Sequence, residues 1–379
     1  MKILYYCNEY PPEKSGGIGI FTKEIAERLA ADKNNEVYVY GMYSLNEKKI
    51  EIINNVFIIR DVKNNGLLNF ITNRVRSYIS IKNLINDREI DLIEVQEFNG
   101  LIAFWPKVKA KIVVRLHGSV IYFRTLLHEI NIKNIVWRIV EKKTIMSADK
   151  IISVSEFTAR KTKEIFKFSK DIDVIHNGIN FDGVFREKKL SDHKHYIFSG
   201  SIIKKKGVIE LIEAWLIFSE DKKNVSLSLY GKDIENLTDI LIKKLKSHHN
   251  STVYFHGPVQ KDELMLAYSK CDFCLFPSKA EAFSLSPLEA MGMSRVVLYT
   301  DQTSARELID DKNNGILIKD HCVDSILQSL NYSYHLEKDE YERIARNAFM
   351  TVKNKFSIEK VIYRNIETYQ DILKYRDSK

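Results

Sequence analysis

The run EAFSLSPLEAMGM, Glu281–Met293, sets two carboxylates eight positions apart across a junction between a strand and a helix. Upstream, CDFCLFPS (Cys271–Ser278) reads as a buried parallel strand, and Ser286, Pro287 and Leu288 open a helix with proline in its first turn. A helix mouth above a strand's carboxyl end is a natural anion site. The backbone N–H groups of Ala282, Phe283, Ser284 and Leu285 lack intrahelical partners there, and the positive end of the helix dipole lies behind them. On this geometry Glu289 points from the helix toward ribose hydroxyls and Glu281 lies nearer a transferred sugar. The expected ligand is a nucleotide sugar.

The rest of the chain supplies the context. Its 379 residues exceed the usual size of one hydrophobic core, so two domains are expected. No apolar run approaches the roughly 20 residues that cross a bilayer, and MKILYYCNEY begins as a strand without a basic leader, so the expected location is the cytoplasm. Cys7, Cys271, Cys274 and Cys322 are too few and scattered for a disulfide framework, and Cys271 and Cys274 read as core. A net charge of +8, from 58 basic and 50 acidic residues, points to an anionic partner. The lysines are spread out, and neither zinc-finger spacing nor an RNP-like aromatic strand occurs, which argues against nucleic acid.

Strands of four to six apolar residues alternate with segments of helical period, the pattern of doubly wound α/β domains with parallel sheets. The pattern pauses over NGINFDGVFREKKLSDHK, Asn177–Lys194, and then restarts. The expected division is a Rossmann-like domain over 1–176, a linker over 177–194, a second Rossmann-like domain over 195–356, and a last helix near Phe356–Tyr375 that returns to the first domain. Open sheets of this kind bind ligands beyond the carboxyl ends of their strands, here in a cleft where the domains face each other.

Three further motifs fall at strand ends. Gly16, Gly17 and Gly19 precede an amphipathic helix, where glycine lets backbone approach an anion or an acceptor hydroxyl. They do not make the dinucleotide fingerprint, which disfavours NAD. In FSGSIIKKKG, Lys204, Lys205 and Lys206 stand where a cation meets the diphosphate of a leaving nucleotide. His117 ends KIVVRLHGS and is expected to project into the cleft. Asp171-Ile172-Asp173 has the form of a metal-binding D-x-D, but it leads into a strand away from the nucleotide domain and is rejected as a metal site.

Together PPEKSGG, RLHGS, ISVSEFT, IHNGIN, GSIIKKKG, FHGPV, EAFSLSPLEAMGM and RELIDDKNNGILI resemble glycosyltransferase family 4, retaining enzymes of the GT-B fold, over nearly the whole chain. The resemblance implies that Glu281 and Glu289 are the family's E-x7-E pair, that Lys206 binds donor phosphate, that His117 contacts the transferred sugar and that Val259 lies by the nucleobase. One departure stands out: where the family carries arginine after the glycine of GSIIKKKG, this chain has Ser201. Either Lys204 or Lys205 supplies that charge, or Lys206 and backbone do the work. The implied reaction moves a sugar from a UDP- or GDP-sugar to a hydroxyl of a glycan or lipid-linked acceptor, with retention and with neither cofactor nor metal.

The first domain should read the acceptor. Its segments from Gly66 and from Tyr122 mix apolar, aromatic and basic residues, which suits either an anionic leaflet, with Leu67, Leu68 and Phe70 inserted and Arg74 and Arg76 at headgroup level, or a core-facing helix. Two rival functions share these motifs: a nucleotide-sugar epimerase, and a sugar-nucleotide-binding protein with a dead site.

Overall fold

Short runs of Val, Ile, Leu and Tyr become strands covered on both faces, and the longer periodic segments become the covering helices. The computed structural model describes residues 1–13, 16–66, 68–132 and 134–374. These fall into two units, Met1–Asn177 with Glu359–Lys379, and Gly178–Ile358.

In the first unit the order is β1 (Lys2–Tyr6), α1 (Gly17–Ala30), β2 (Glu36–Tyr43), β3 (Lys49–Ile53), β4 (Val56–Val62), α2 (Asn69–Arg88), β5 (Leu92–Gln96), β6 (Lys111–Leu116), α3 (Val120–Leu126), α4 (Asn134–Ser147), β7 (Lys150–Ser153), α5 (Glu156–Phe166) and β8 (Ile172–Val174). The sheet runs β3-β4-β2-β1-β5-β6-β7-β8, parallel except for the β3/β4 pair. Strand order therefore reverses between β1 and β5.

Sequence reading missed β3. Its Ile50 and Ile52 are exposed while Glu51 binds Arg60 at 2.6 Å, so the usual in/out alternation is inverted, as on edge strands that guard against further pairing. The readable signal was Asn54-Asn55, both at positive φ, a two-residue hairpin turn.

The second unit contains β9 (Lys194–Ser199), α6 (Val208–Ser219), β10 (Val225–Tyr230), α7 (Thr238–Ser247), β11 (Val253–Gly257), α8 (Lys261–Lys270), β12 (Phe273–Phe276), α9 (Leu285–Gly292), β13 (Val296–Thr300), α10 (Ala305–Leu308), β14 (Ile316–Ile318), α11 (Val323–Tyr334) and α12 (Lys338–Thr351). Its parallel sheet runs β11-β10-β9-β12-β13-β14 and reverses between β9 and β12. The core packs Trp215, Tyr196, Phe218 and Phe273 against the aliphatic strands.

Residues 178–193, expected as a linker, form no helix or strand but group with the second unit. Leu190 is in its core, and Lys188 and Ser191 each reach Asp272 at 3.0 Å. The last helix, α13 (Ile358–Lys374), lies with the first unit apart from its first residue. Val361 and Tyr369 join the apolar core there, and a buried polar network adds to the hold: Arg115 binds Glu94 at 2.6 and 2.9 Å and reaches Asn365, while Tyr369 donates to Glu94 at 2.6 Å and meets Tyr5 at 3.2 Å.

Candidate active site

In the second unit the candidate residues gather at the point where strand order reverses. After β9 the chain passes Gly200 and Ser201, tightens into a 3-10 turn over Lys204–Lys206, and enters α6 through Gly207 at φ +71°. Only glycine fits: a Cβ there would stand 2.0 Å from the Pro277 carbonyl oxygen. The loops after β9 and β12 are thus packed backbone to backbone. The Lys279 N–H donates to the Lys205 carbonyl at 2.9 Å, and the Lys206 ammonium donates to the buried Glu281 carboxylate.

Charge at this turn is balanced by that contact. Burial pushes the Glu281 carboxyl up, but Lys206 and Lys205 more than offset it and hold its pKa below the ordinary value. Burial lowers the Lys205 pKa, with Glu281 opposing. Lys204 is exposed, and its N–H is anchored on Glu235 at 2.9 Å.

Helix α9 begins one residue earlier than the sequence suggested, with Ser284 as its N-cap and no side chain bonding into the first turn. Ala282 and Phe283 are buried just ahead of it, and Leu285 is its first residue. Glu289 is half-buried on this helix, 3.7 Å from the Lys261 ammonium. Burial raises its pKa, with Lys261 pulling the other way.

The neighbouring loops are stacked by glycine. Gly200 donates to the Tyr230 carbonyl at 2.9 Å and Gly231 to the Gly257 carbonyl at 2.8 Å, while a Cβ on Gly231 would come within 1.9 Å of the Gly200 oxygen. Ser201 and Val259, both half-buried, follow the first and last of these glycines at the carboxyl end of the sheet.

In the first unit, Gly17 starts α1, exposed and with open space around it. The helix mouth already holds an anion of the chain's own: Glu9 accepts from the N–H groups of Gly16 at 3.2 Å and Gly19 at 3.0 Å. First-turn amides attract a nearby carboxylate, and here the chain supplies one of its own to Gly16 and Gly19. His117 follows β6 directly and is half-buried, its ring edge-on to Phe21 at 5.3 Å. Protein crowds the ring although part of its surface stays open, and burial, with the Arg115 charge, pushes its pKa down to about 3. The ring is neutral.

Two buried carboxylates beneath His117 were not singled out from the sequence. Glu97 accepts from the His117 and Gly118 N–H groups at 2.9 and 2.7 Å, and Glu141 from those of Val120 and Ile121 at 2.8 and 3.1 Å. The available signal was an acid ending the apolar run LIEVQE. Among the described residues no three His, Cys, Asp or Glu side chains gather to hold a metal. Asp173 pairs with Lys150 at 2.7 Å, and Cys271 and Cys274 are buried as free thiols.

Comparison with known proteins fits this arrangement. A family model described as Glycosyltransferase Family 4 matches residues 15–182, and one described as Glycosyl transferases group 1 matches residues 182–350. An uncharacterized glycosyltransferase of Methanocaldococcus jannaschii is 27% identical over 380 residues, covering 98% of this chain and 99% of that protein. The capsular polysaccharide biosynthesis glycosyltransferase CapM of Staphylococcus aureus is 26% identical, over 65% of this chain and 68% of its own. Among solved structures, Anabaena HepE in complex with UDP and glucose superposes with a TM-score of 0.75 at 17% identity, covering 98% of this chain and 100% of that one, a likeness of fold. With both halves matched in order and the two parallel sheets in place, the chain belongs to glycosyltransferase family 4 and has the GT-B fold.

Proposed function

We propose that this glycosyltransferase moves a hexose-type unit from a UDP- or GDP-sugar to a hydroxyl of a glycan or lipid-linked acceptor in surface polysaccharide or glycoconjugate synthesis. The anomeric configuration is kept and no metal is needed. The observation that carries the reading is the Lys206–Glu281 contact at the switch point between β9 and β12, ahead of the mouth of α9. The names of CapM and of the HepE complex support the polysaccharide and the UDP-sugar respectively.

In this reaction the bond from the anomeric carbon to the diphosphate oxygen breaks and a bond to the acceptor oxygen forms. The acceptor proton passes to the leaving phosphate oxygen. Negative charge grows on the diphosphate as the carbon takes on oxocarbenium character, so preorganised donors on the phosphates are the main lever. Lys206, Lys205 and the amides before α9 serve there, with Glu281 toward the sugar and Glu289 toward the ribose. Neutral His117 offers the sugar a hydrogen bond without a competing positive charge. Four free cysteines and a nucleotide-sugar donor suit a reducing cytoplasmic compartment.

The test is a melting-temperature panel with UDP-, GDP- and ADP-sugars, since a donor that binds the folded state raises the midpoint according to its affinity. Proton NMR of the donor that binds then follows, alone and with simple glycoside acceptors. A stabilising donor that yields an α-linked product from an α-linked donor is expected. Free epimer from donor alone, or no donor that stabilises, overturns the reading.

A further inference from the structure

The His117 imidazole sits on a turn with little stiffness of its own. Gly118 follows at φ +90°, and a Cβ there would stand 2.8 Å from ring carbons of Phe123, so only glycine fits, and glycine leaves the peptide easy to rotate. The stiffness comes from the neighbouring strand. β5 pairs with β6 through Gln96 and Arg115, and Glu97, one residue past that pair, turns its carboxyl onto the end of β6. Its Oε2 accepts from the His117 N–H at 2.9 Å and its Oε1 from the Gly118 N–H at 2.7 Å. One side chain thus holds two consecutive amides, one on each oxygen. Glu141 of α4 does the same for Val120 and Ile121, at 2.8 and 3.1 Å, while Ser119 between the two pairs caps α3 by accepting from the Tyr122 N–H at 3.0 Å.

Charge balance does not call for these carboxyls. Both are fully buried, and among the described residues no lysine or arginine pairs with either. Burial raises the pKa of each, and the amide bonds pull the other way. A glutamine of the same shape would accept one amide and turn an NH₂ toward the other, whereas a carboxylate accepts on both atoms. What the arrangement secures is direction. With its amides drawn inward the turn has one setting, in which the neutral His117 ring stands edge-on to Phe21 of α1 at 5.3 Å. A group that must meet one sugar hydroxyl needs that fixity, since a misplacement of about 1 Å can cost roughly 100-fold in rate.

We propose that Glu97 is a positioning residue for the transfer: it touches no substrate and acts through His117, whose ring it aims at the donor sugar. The assignment rests on the transferase reading and on the place of His117 in it.

A double-variant cycle tests this. The donor is whichever of UDP-glucose, UDP-N-acetylglucosamine, GDP-mannose and ADP-glucose raises the melting temperature most, and release of its nucleoside diphosphate is followed with octyl glucoside or water as acceptor. Assays run at about pH 9, above the raised Glu97 pKa of about 8, so that the wild-type carboxyl is ionised. Glu97→Gln is expected to lower kcat by roughly 10- to 100-fold and to leave the donor KM within about twofold of wild type. Glu97→Asp, ionised but one methylene short, is expected to show the same loss and serves if the glutamine variant does not fold. His117→Ala lowers kcat too, and Glu97→Gln/His117→Ala is expected to be no slower than His117→Ala alone, because nothing is left to position. In spectra of protein labelled with ¹⁵N-histidine, the His117 ring signal, identified by its loss in His117→Ala, is expected to shift in Glu97→Gln. A Glu97 variant with kcat within about twofold of wild type, a loss carried by donor KM, losses that multiply in the double variant, or an unmoved ring signal overturns the proposal. If wild type binds a donor and turns it over while the cycle fails, the transferase reading stands and this one falls; if no donor is bound, both fall.

Discussion

Lys206 and Glu281 stand 75 positions apart in the chain and meet in a hydrogen-bonded ion pair at the reversal point of the second sheet. Without donor, the carboxylate neutralises the ammonium and fixes its direction. In the proposed reaction the same ammonium would face the negative charge that grows on the diphosphate. At about 4 Å two unit charges interact by roughly 4 kcal/mol at an effective dielectric near 20, against roughly 1 in water. Lys206→Ala is therefore expected to lower kcat by roughly 100- to 1000-fold, the usual effect of removing one donor to a developing oxyanion. Steady-state transfer rates check this; a rate within about tenfold of wild type discards the role.

Much of the molecule was legible because the signals were local. Apolar runs marked the parallel strands, and the junction of β12 with α9 between Cys271 and Met293 needed only one strand and one helix to read. What escaped depends on partners distant in sequence. Glu97 and Glu141 anchor the His117–Ile121 backbone from about 20 positions away; an acid closing the run LIEVQE hints at Glu97, but nothing beside Glu141 in the chain announces a buried carboxyl. The edge strand β3 escaped for another reason: its inverted pattern serves solubility rather than burial. The outward rows of α2 and α4, Ile71, Val75 and Ile79 on one and Ile135, Val136 and Ile139 on the other, resemble core faces in sequence, since helical period reports a stripe but not what covers it; Leu67 lies outside the described residues.

Glu289 tests the ribose assignment separately from the chemistry. Burial raises its pKa, and its ion pair is 3.7 Å long, so it is held loosely enough to take a hydroxyl. Glu289→Ala is expected to weaken nucleotide binding by roughly 1.5–3 kcal/mol, the worth of hydrogen bonds to a charged group. Calorimetry with UDP and GDP reads it out; unchanged affinity for the nucleotide that binds moves Glu289 out of the ribose site.

The Glu97 carboxyl gives a pH signature. Burial, with help from Glu141, raises it to about 8 from an ordinary 4.5. Between those values the native state holds a proton that the unfolded chain has released, so this group's stabilising share is full below about 4.5 and lost as pH rises through about 8. His117 acts on the other side: its folded pKa of about 3 lies below the ordinary 6.5, so its share is present above 6.5 and lost as pH falls toward 3. Glu97→Gln is expected to flatten the decline in stability from pH 5 to 8.5, measured by urea unfolding, while leaving the acid limb in place. An unaltered decline would assign that limb to other groups.

Arg115 sets the last expectation, because it joins the returning helix to the sheet. Its guanidinium is fully buried, paired with Glu94 and bonded to Asn365 on α13, and Tyr369 of the same helix completes the network on Glu94. Breaking one side of a buried pair leaves the other charge without compensation, which costs roughly 3–5 kcal/mol, whereas replacing both sides with apolar groups of similar volume is often neutral. Arg115→Met is expected to lower the stability of the first unit by that amount and to make α13 sensitive to protease, and Arg115→Met/Glu94→Leu to recover most of the loss. Urea unfolding followed by the fluorescence of Trp105 and Trp137, with limited proteolysis alongside, separates the outcomes. A single variant as stable as its parent would mean that α13 is held by the apolar contacts of Val361 and Tyr369 rather than by this network.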